Sequence, residues 1–256
     1  MLTSLTHITD STVTASDGPI GKVTAAFFDD QSWAVRYLVV DTGTWLDGRE
    51  VLISPYAVRQ PMDDSKEIHV TLTCEQVRNS PDVDTQRPVS RQHERETMRY
   101  YGYPYYWDGG GMWGVGNFPV LVPDPGTSTD AKVENALRAE ENRHDDIHLR
   151  SSVKVAGYDI QATDESIGHV EDFIVDDLSW AIRYLVVDTR NWWPGGSKVL
   201  IATHWIDRID WDTSTVSVKL TREQVRNSKP YDETVHVDRD YEALLHDSYG
   251  RPGYWD

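Results

Sequence analysis

The chain of 256 residues contains a single cysteine, Cys74. One thiol cannot close an internal disulfide, so the expectation is a fold without cross-links in a reducing compartment. Basic residues are also scarce: Lys+Arg number 25 against 42 Asp+Glu, a net charge of -17. That much negative charge repels phosphate backbones and anionic lipid surfaces over a Debye length of about 10 Å at 0.1 M salt. No segment reverses the sign, because residues 1–108 carry -6, residues 109–148 carry -4 and residues 149–256 carry -7. Nucleic acid is therefore not an expected partner. Long apolar runs are missing too, and nothing approaches the roughly 20 residues of a membrane helix. Met1–Asp10 lacks the basic-then-apolar pattern of a signal peptide. These absences predict a cytoplasmic chain with no membrane span.

What is present is aromatic. The chain holds 10 Trp and 13 Tyr, and aromatics make up 11% of it. Disordered chains are poor in such residues, so the composition reads as folded.

The strongest signal is internal duplication. Asp29–Thr42 reads DDQSWAVRYLVVDT and Asp176–Thr189 reads DDLSWAIRYLVVDT, an offset of 147. Val70–Ser80, VTLTCEQVRNS, matches Val218–Ser228, VKLTREQVRNS, at an offset of 148. The similarity extends upstream to Ile20-Gly21-x-Val23 and Ile167-Gly168-x-Val170. Downstream it reaches an aromatic tail, Tyr101–Trp107 against Tyr249–Trp255. The division is thus residues 1–108, a linker 109–148, and residues 149–256.

Each copy reads as a meander of short strands. Gly21–Phe28 and Val35–Val40 are apolar, β-branched runs bracketing the turn Asp29–Ser32. Thr12–Ala15, Val51–Ser54 and Ile68–Leu72 complete the first set, with equivalents in the second copy. Short strands at regular spacing favour a small barrel over a parallel sheet. Thr73 with Gln76, and Thr221 with Gln224, have the spacing of a capping box, so each copy closes with a short helix. The expected fold is mainly β: two tandem six-stranded barrels, each followed by a short helix, packed as a pseudo-twofold pair. In the linker, Asp130–Arg143 reads as a short amphipathic helix.

The Ile-Gly-x-Val strand, the RYLVVDT strand, the Val-Leu-Ile strand and the final strand-to-helix step resemble the PRC-barrel family. The resemblance covers residues 10–82 and 158–230. That family includes the cytoplasmic domain of the photosynthetic reaction-centre H subunit and half of a ribosome maturation factor. It implies an assembly or interaction role and supplies no catalytic residue to carry over.

The residues themselves offer few competing chemistries. Asp29-Asp30 and Asp176-Asp177 lie a strand length from Asp41 and Asp188, too far to share a proton or a metal. His144 and His148 have i, i+4 spacing but no further ligands. His69, His169, His204 and His236 have no His counterpart in the other copy. No P-loop, G-x-S-x-G or G-x-G-x-x-G occurs, and Gly109–Gly111 lacks the strand-to-helix context of a phosphate loop. No metal and no cofactor are expected. Arg36 and Arg183, mid-strand in apolar runs, are expected to snorkel outward or to pair with a rim carboxylate, with an anion contact as the functional alternative.

The aromatic tails are the candidate interaction surface: Tyr100, Tyr101, Tyr103, Tyr105, Tyr106, Trp107 and Trp113, with Tyr249, Tyr254 and Trp255. They either fold back on their own copy or meet a partner, because Tyr and Trp concentrate at interface centres. The functional expectation is a soluble, non-catalytic binding module for a protein partner, with a homodimer as the alternative. An accessory subunit docked on a membrane electron-transfer complex is the second reading, and a hydrolase using Asp and His is the third.

Overall fold

The computed structural model describes residues 1–60, 62, 65–83, 89–121, 148–192 and 194–255. The expected linker helix and the His144 end of the histidine pair fall outside these residues.

The chain is mainly β. In the first copy β2 (Thr12–Thr14), β3 (Pro19–Asp29), β4 (Ala34–Asp41), β5 (Glu50–Ile53) and β6 (Glu67–His69) assemble in the order β5-β4-β3-β2-β6. The second copy repeats this with β8 (Asp159–Gln161), β9 (Ser166–Asp176), β10 (Ile182–Asp188) and β11 (Lys198–Ala202). There β13 (Thr215–Val218) stands for β6 and β12 (Ile206–Asp210) is added, in the order β11-β10-β9-β8-β13-β12. In both sheets one parallel contact, β2 with β6 and β8 with β13, interrupts the antiparallel pattern. Among the described residues no ladder joins the two ends of either strand order. Each unit is therefore an open sheet along its ladders, where closed six-stranded barrels were expected. Among the described residues the first copy has a single bridge, Val58↔Val70, where the second has the β12–β13 ladder.

Seven of the eight residues of β4 are buried, which explains why its sequence is nearly continuous in apolar residues rather than alternating. The glycine of the Ile-Gly-x-Val motif has a steric cause. A Cβ on Gly21 would lie 1.9 Å from the Asp41 carbonyl oxygen, and one on Gly168 would lie 2.4 Å from that of Asp188. Only a residue without a side chain lets β3 and β9 approach β4 and β10 so closely.

The two copies exchange their leading strands. β1 (Leu2–Ser4) pairs with β9 of the second copy, Leu2 facing Asp176. β7 (Leu149–Ser151) pairs with β3 of the first, Leu149 facing Asp29. Subtracting 147 turns one contact into the other, which is the reciprocity of an isologous pair. At the centre Ala34 bridges Ala181, its own equivalent. Val35 N–H donates to the Trp180 carbonyl at 2.8 Å, and Ile182 N–H donates to the Trp33 carbonyl at 2.6 Å. Trp33 and Trp180 both adopt left-handed φ, 54° and 58°, at this crossing. A short helix follows each exchanged strand, α1 (Leu5–Thr9) and α4 (Ser152–Val155).

Both capping boxes are formed, at the starts of α2 (Cys74–Arg78) and α5 (Arg222–Arg226). Two further helices, not expected from the sequence, lead into the aromatic tails: α3 (Arg91–Tyr101) and α6 (Arg239–Tyr249). Ser90 and Asp238 cap their starts, and Gly102 and Gly250 end them in the left-handed conformation.

Candidate functional site

Arg36 projects from β4 into the first module and is 2% exposed. Buried guanidinium needs charge and hydrogen-bond partners, and it has both. Asp29 lies 3.5 Å from Nη2, Ser32 Oγ accepts at 2.9 Å and the Met112 carbonyl accepts from Nη1 at 2.7 Å. The cation also lies 3.7 Å from the ring centroid of Tyr106 and 4.7 Å from that of Trp113. The tail thus folds back across its own module and roofs over the arginine.

Behind this roof lies a buried carboxylate. Tyr106 donates its hydroxyl to Glu94 Oε1 at 2.6 Å, and Arg91 reaches Glu94 Oε2 at 3.2 Å. Burial raises the Glu94 carboxyl to about 7, against the opposing pull of Arg91 and the Tyr106 hydrogen bond. The same burial raises the Tyr106 phenol well above its ordinary value. Trp113 closes the site, edge-on to Tyr56 at 5.0 Å, with its indole N–H donating to the Ser179 carbonyl of the other module at 2.8 Å.

The second module repeats the plan with different wiring. Arg183 pairs with Asp176 at 3.3 Å and stacks over Tyr254 at 4.4 Å. Arg239 reaches Glu242 at 3.2 Å and stacks over Trp255 at 4.1 Å. Here the phenol that donates to the carboxylate is Tyr184 on β10, at 2.8 Å. The same hydroxyl lies 3.0 Å from His246 Nε2, whose Nδ1 is 2.8 Å from the Pro252 carbonyl. His246 stands where the first module has Met98, and its ring stacks parallel to that of His204 at 5.7 Å. Desolvation, together with the nearby His246, Arg183 and Arg251, lowers the His204 imidazole.

The sequence-predicted aromatics fall into three groups. Tyr103, Tyr106, Trp113 and Tyr249 are buried core. Tyr101 stacks on Tyr103, and Tyr105 stacks on Trp107. Tyr101, Tyr105, Trp107 and Tyr254 are half-buried, so only Tyr100 and Trp255 of the ten are open to solvent. Arg36 is paired with Asp29, and its guanidinium lies beneath Tyr106 and Trp113. Arg183 keeps an open side. The Asp29 carboxylate takes the N–H groups of Gln31 and Ser32 at 2.9 and 3.0 Å, the local bonding by which aspartate favours turns.

Sequence reasoning missed Arg91, Glu94, Arg239, Glu242, Tyr184 and His246. A signal existed: Arg-x-x-Glu recurs at the 148-residue offset in both copies. Among the described residues no group of three or more His, Cys, Asp or Glu is placed to hold a metal ion. No helix among them is long and apolar enough to cross a membrane. No protein-family model and no curated protein matches the chain.

Proposed function

We propose that this chain is a non-catalytic, cytoplasmic binding module built from two PRC-barrel-type units, and that its partner is a protein. The observation that carries this reading is the segment following Trp113. Trp113 is buried and pinned to both modules, yet Val115, Phe118, Val120 and Leu121 beyond it are exposed, Val115 by 92%. A rigidly anchored segment presenting a run of apolar side chains is suited to a protein contact. The internal pairing of Arg36, Asp29, Arg91 and Glu94 fits a scaffold role, since these charges brace the module rather than face a substrate.

The test is affinity capture from the native host with the wild type and with Val115→Ser, Phe118→Ser and Leu121→Ser combined. A partner retained by the wild type and lost by the folded variant supports the reading. Identical capture by both rejects this surface.

A second reading is an accessory subunit docked on a membrane electron-transfer complex. The observation favouring it is the series Glu242–Tyr184–His246, in which carboxylate, phenol and imidazole are hydrogen-bonded in line. Such a series can pass a proton. Sedimentation with host membranes at low salt and release at high salt is its expected outcome; a chain that stays in the supernatant throughout rejects it.

A further inference from the structure

The Trp113 contact is built from three polar bonds and one stacking surface, each with an equivalent in the second module. Arg36 Nη1 donates to the Met112 carbonyl at 2.7 Å, and Tyr56 donates to the Trp113 carbonyl at 3.3 Å. The Trp113 indole N–H donates to the Ser179 carbonyl. The equivalents, by the 147- and 148-residue offsets, are Arg183, His204 and Ser32. All three are more open than their counterparts. The Arg183 side chain is 25% exposed against 2% for Arg36. His204 is exposed where Tyr56 is buried, and Ser32 is half-buried where Ser179 is buried. Tyr254 is likewise half-buried where Tyr106 is buried. Among the described residues no indole stacks on Arg183 and no carbonyl accepts from its Nη1.

The neighbouring surface follows the same asymmetry. In the first module Gln60 Nε2 donates to the Asp177 carbonyl at 2.9 Å, tying that edge to the other module. The equivalent residues, Arg208 and Asp30, instead line an open cleft of about 340 Å³ with Trp33, Ile206, Ile209 and Trp211. The cleft adjoins the socket, because Trp33 and Thr203 lining it are chain neighbours of Ser32 and His204. Its volume is that of a small ligand pocket, enough for side chains flanking a docked residue.

We infer that the second module carries an open socket for a tryptophan-bearing segment of a partner protein, received as the first module receives Gly109–Phe118. The inference rests on the binding-module reading and names the chemistry of one partner contact. The partner's indole stacks on the Arg183 guanidinium and donates to the Ser32 carbonyl. Its backbone carbonyls accept from Arg183 Nη1 and from the His204 imidazole. Glycines beside the tryptophan allow the close backbone approach, as they do at Gly111 and Gly114, where a Cβ on Gly111 would lie 2.5 Å from the Gly116 carbonyl oxygen.

The probe is a fluorescein-labelled peptide of residues 108–119, titrated against the full chain and followed by anisotropy. Saturable binding below about 1 mM is expected, lost when the peptide's tryptophan is alanine. Arg183→Met should weaken binding roughly tenfold, the order of one desolvated cation–π contact. His204→Tyr, which restores the hydroxyl of Tyr56, should tighten it. Tyr56→Phe should leave it unchanged, since the first socket is already filled. No binding by either the wild type or His204→Tyr overturns the inference. So does equal binding by Arg183→Met, or a change with Tyr56→Phe that marks displacement in the first module. Failure of the peptide with capture still dependent on Val115, Phe118 and Leu121 removes the socket and leaves the binding-module reading standing. Peptide binding with capture independent of those three residues does the reverse.

Discussion

Glu94 is a carboxylate held inside a protein by an arginine and a phenol, and its proton affinity makes stability depend on pH. Its folded value of about 7 lies above the ordinary 4.5, so the folded state binds the proton more tightly than the unfolded chain does. The stabilisation is complete below about 4.5 and is lost as pH rises through about 7. The span corresponds to a change on the order of 3 kcal/mol. Urea unfolding at pH 5 and pH 8 should therefore show the wild type losing more stability than Glu94→Gln across that interval; equal slopes refute the assignment. Asp188 acts in the opposite sense. Hydrogen bonding from Arg190 is the chief cause that lowers its carboxyl to about 2, so its contribution is complete above 3.8 and is lost as pH falls from there through about 2. Composition and hydropathy did not separate these residues from surface charge. Arg91-Gln92-His93-Glu94 is polar throughout, and hydropathy alone reads it as solvated. The burial arises because the tail residues Tyr106 and Trp107 fold over it, which is a tertiary fact.

At the level of single elements, local chemistry was well written in the sequence. The turn aspartates and both capping boxes form as their spacing predicts, because those bonds close within four residues. Thr73→Ala or Thr221→Ala should each cost about 1 kcal/mol, read from the shift of the denaturation midpoint. Gly21→Ala should cost about 3 kcal/mol, since the added methyl meets the Asp41 backbone rather than a side chain able to move. α3 and α6 were missed because their buried faces include Glu94, Thr97, Glu242 and His246, which break the apolar period. Their end signals were nevertheless present, in Ser90 and Asp238 before them and Gly102 and Gly250 after them. The aromatic tails read as a single surface for the opposite reason: composition shows that tyrosines are abundant, not which of them lie under an arginine.

For the molecule as a whole, the repeat foretold two similar units, but the exchange of β1 and β7 left no trace in the sequence. Strands of three residues carry no readable period, and their partners lie far along the chain. The exchange gives a crossed prediction. Removing residues 1–9 should expose the backbone of Ile174, Val175 and Asp176 to hydrogen exchange while Phe27, Phe28 and Asp29 stay protected. The damage should appear in the half of the chain that was not cut. Loss of protection confined to the first module would refute the pairing.

The same pairing sets a waiting time during synthesis. Leu2–Ser4 leave the ribosome before their partners at Ile174–Asp176, which follow 174 to 170 residues later, the difference between the paired positions Leu2↔Asp176 and Ser4↔Ile174. At roughly 5–20 residues per second the opening strand stays unpaired for about 10–35 s. During that interval the first sheet also lacks β7, so neither half has its full complement of strands. The nascent chain therefore passes its longest stage with two open edges, and both close only after the second copy has begun to emerge.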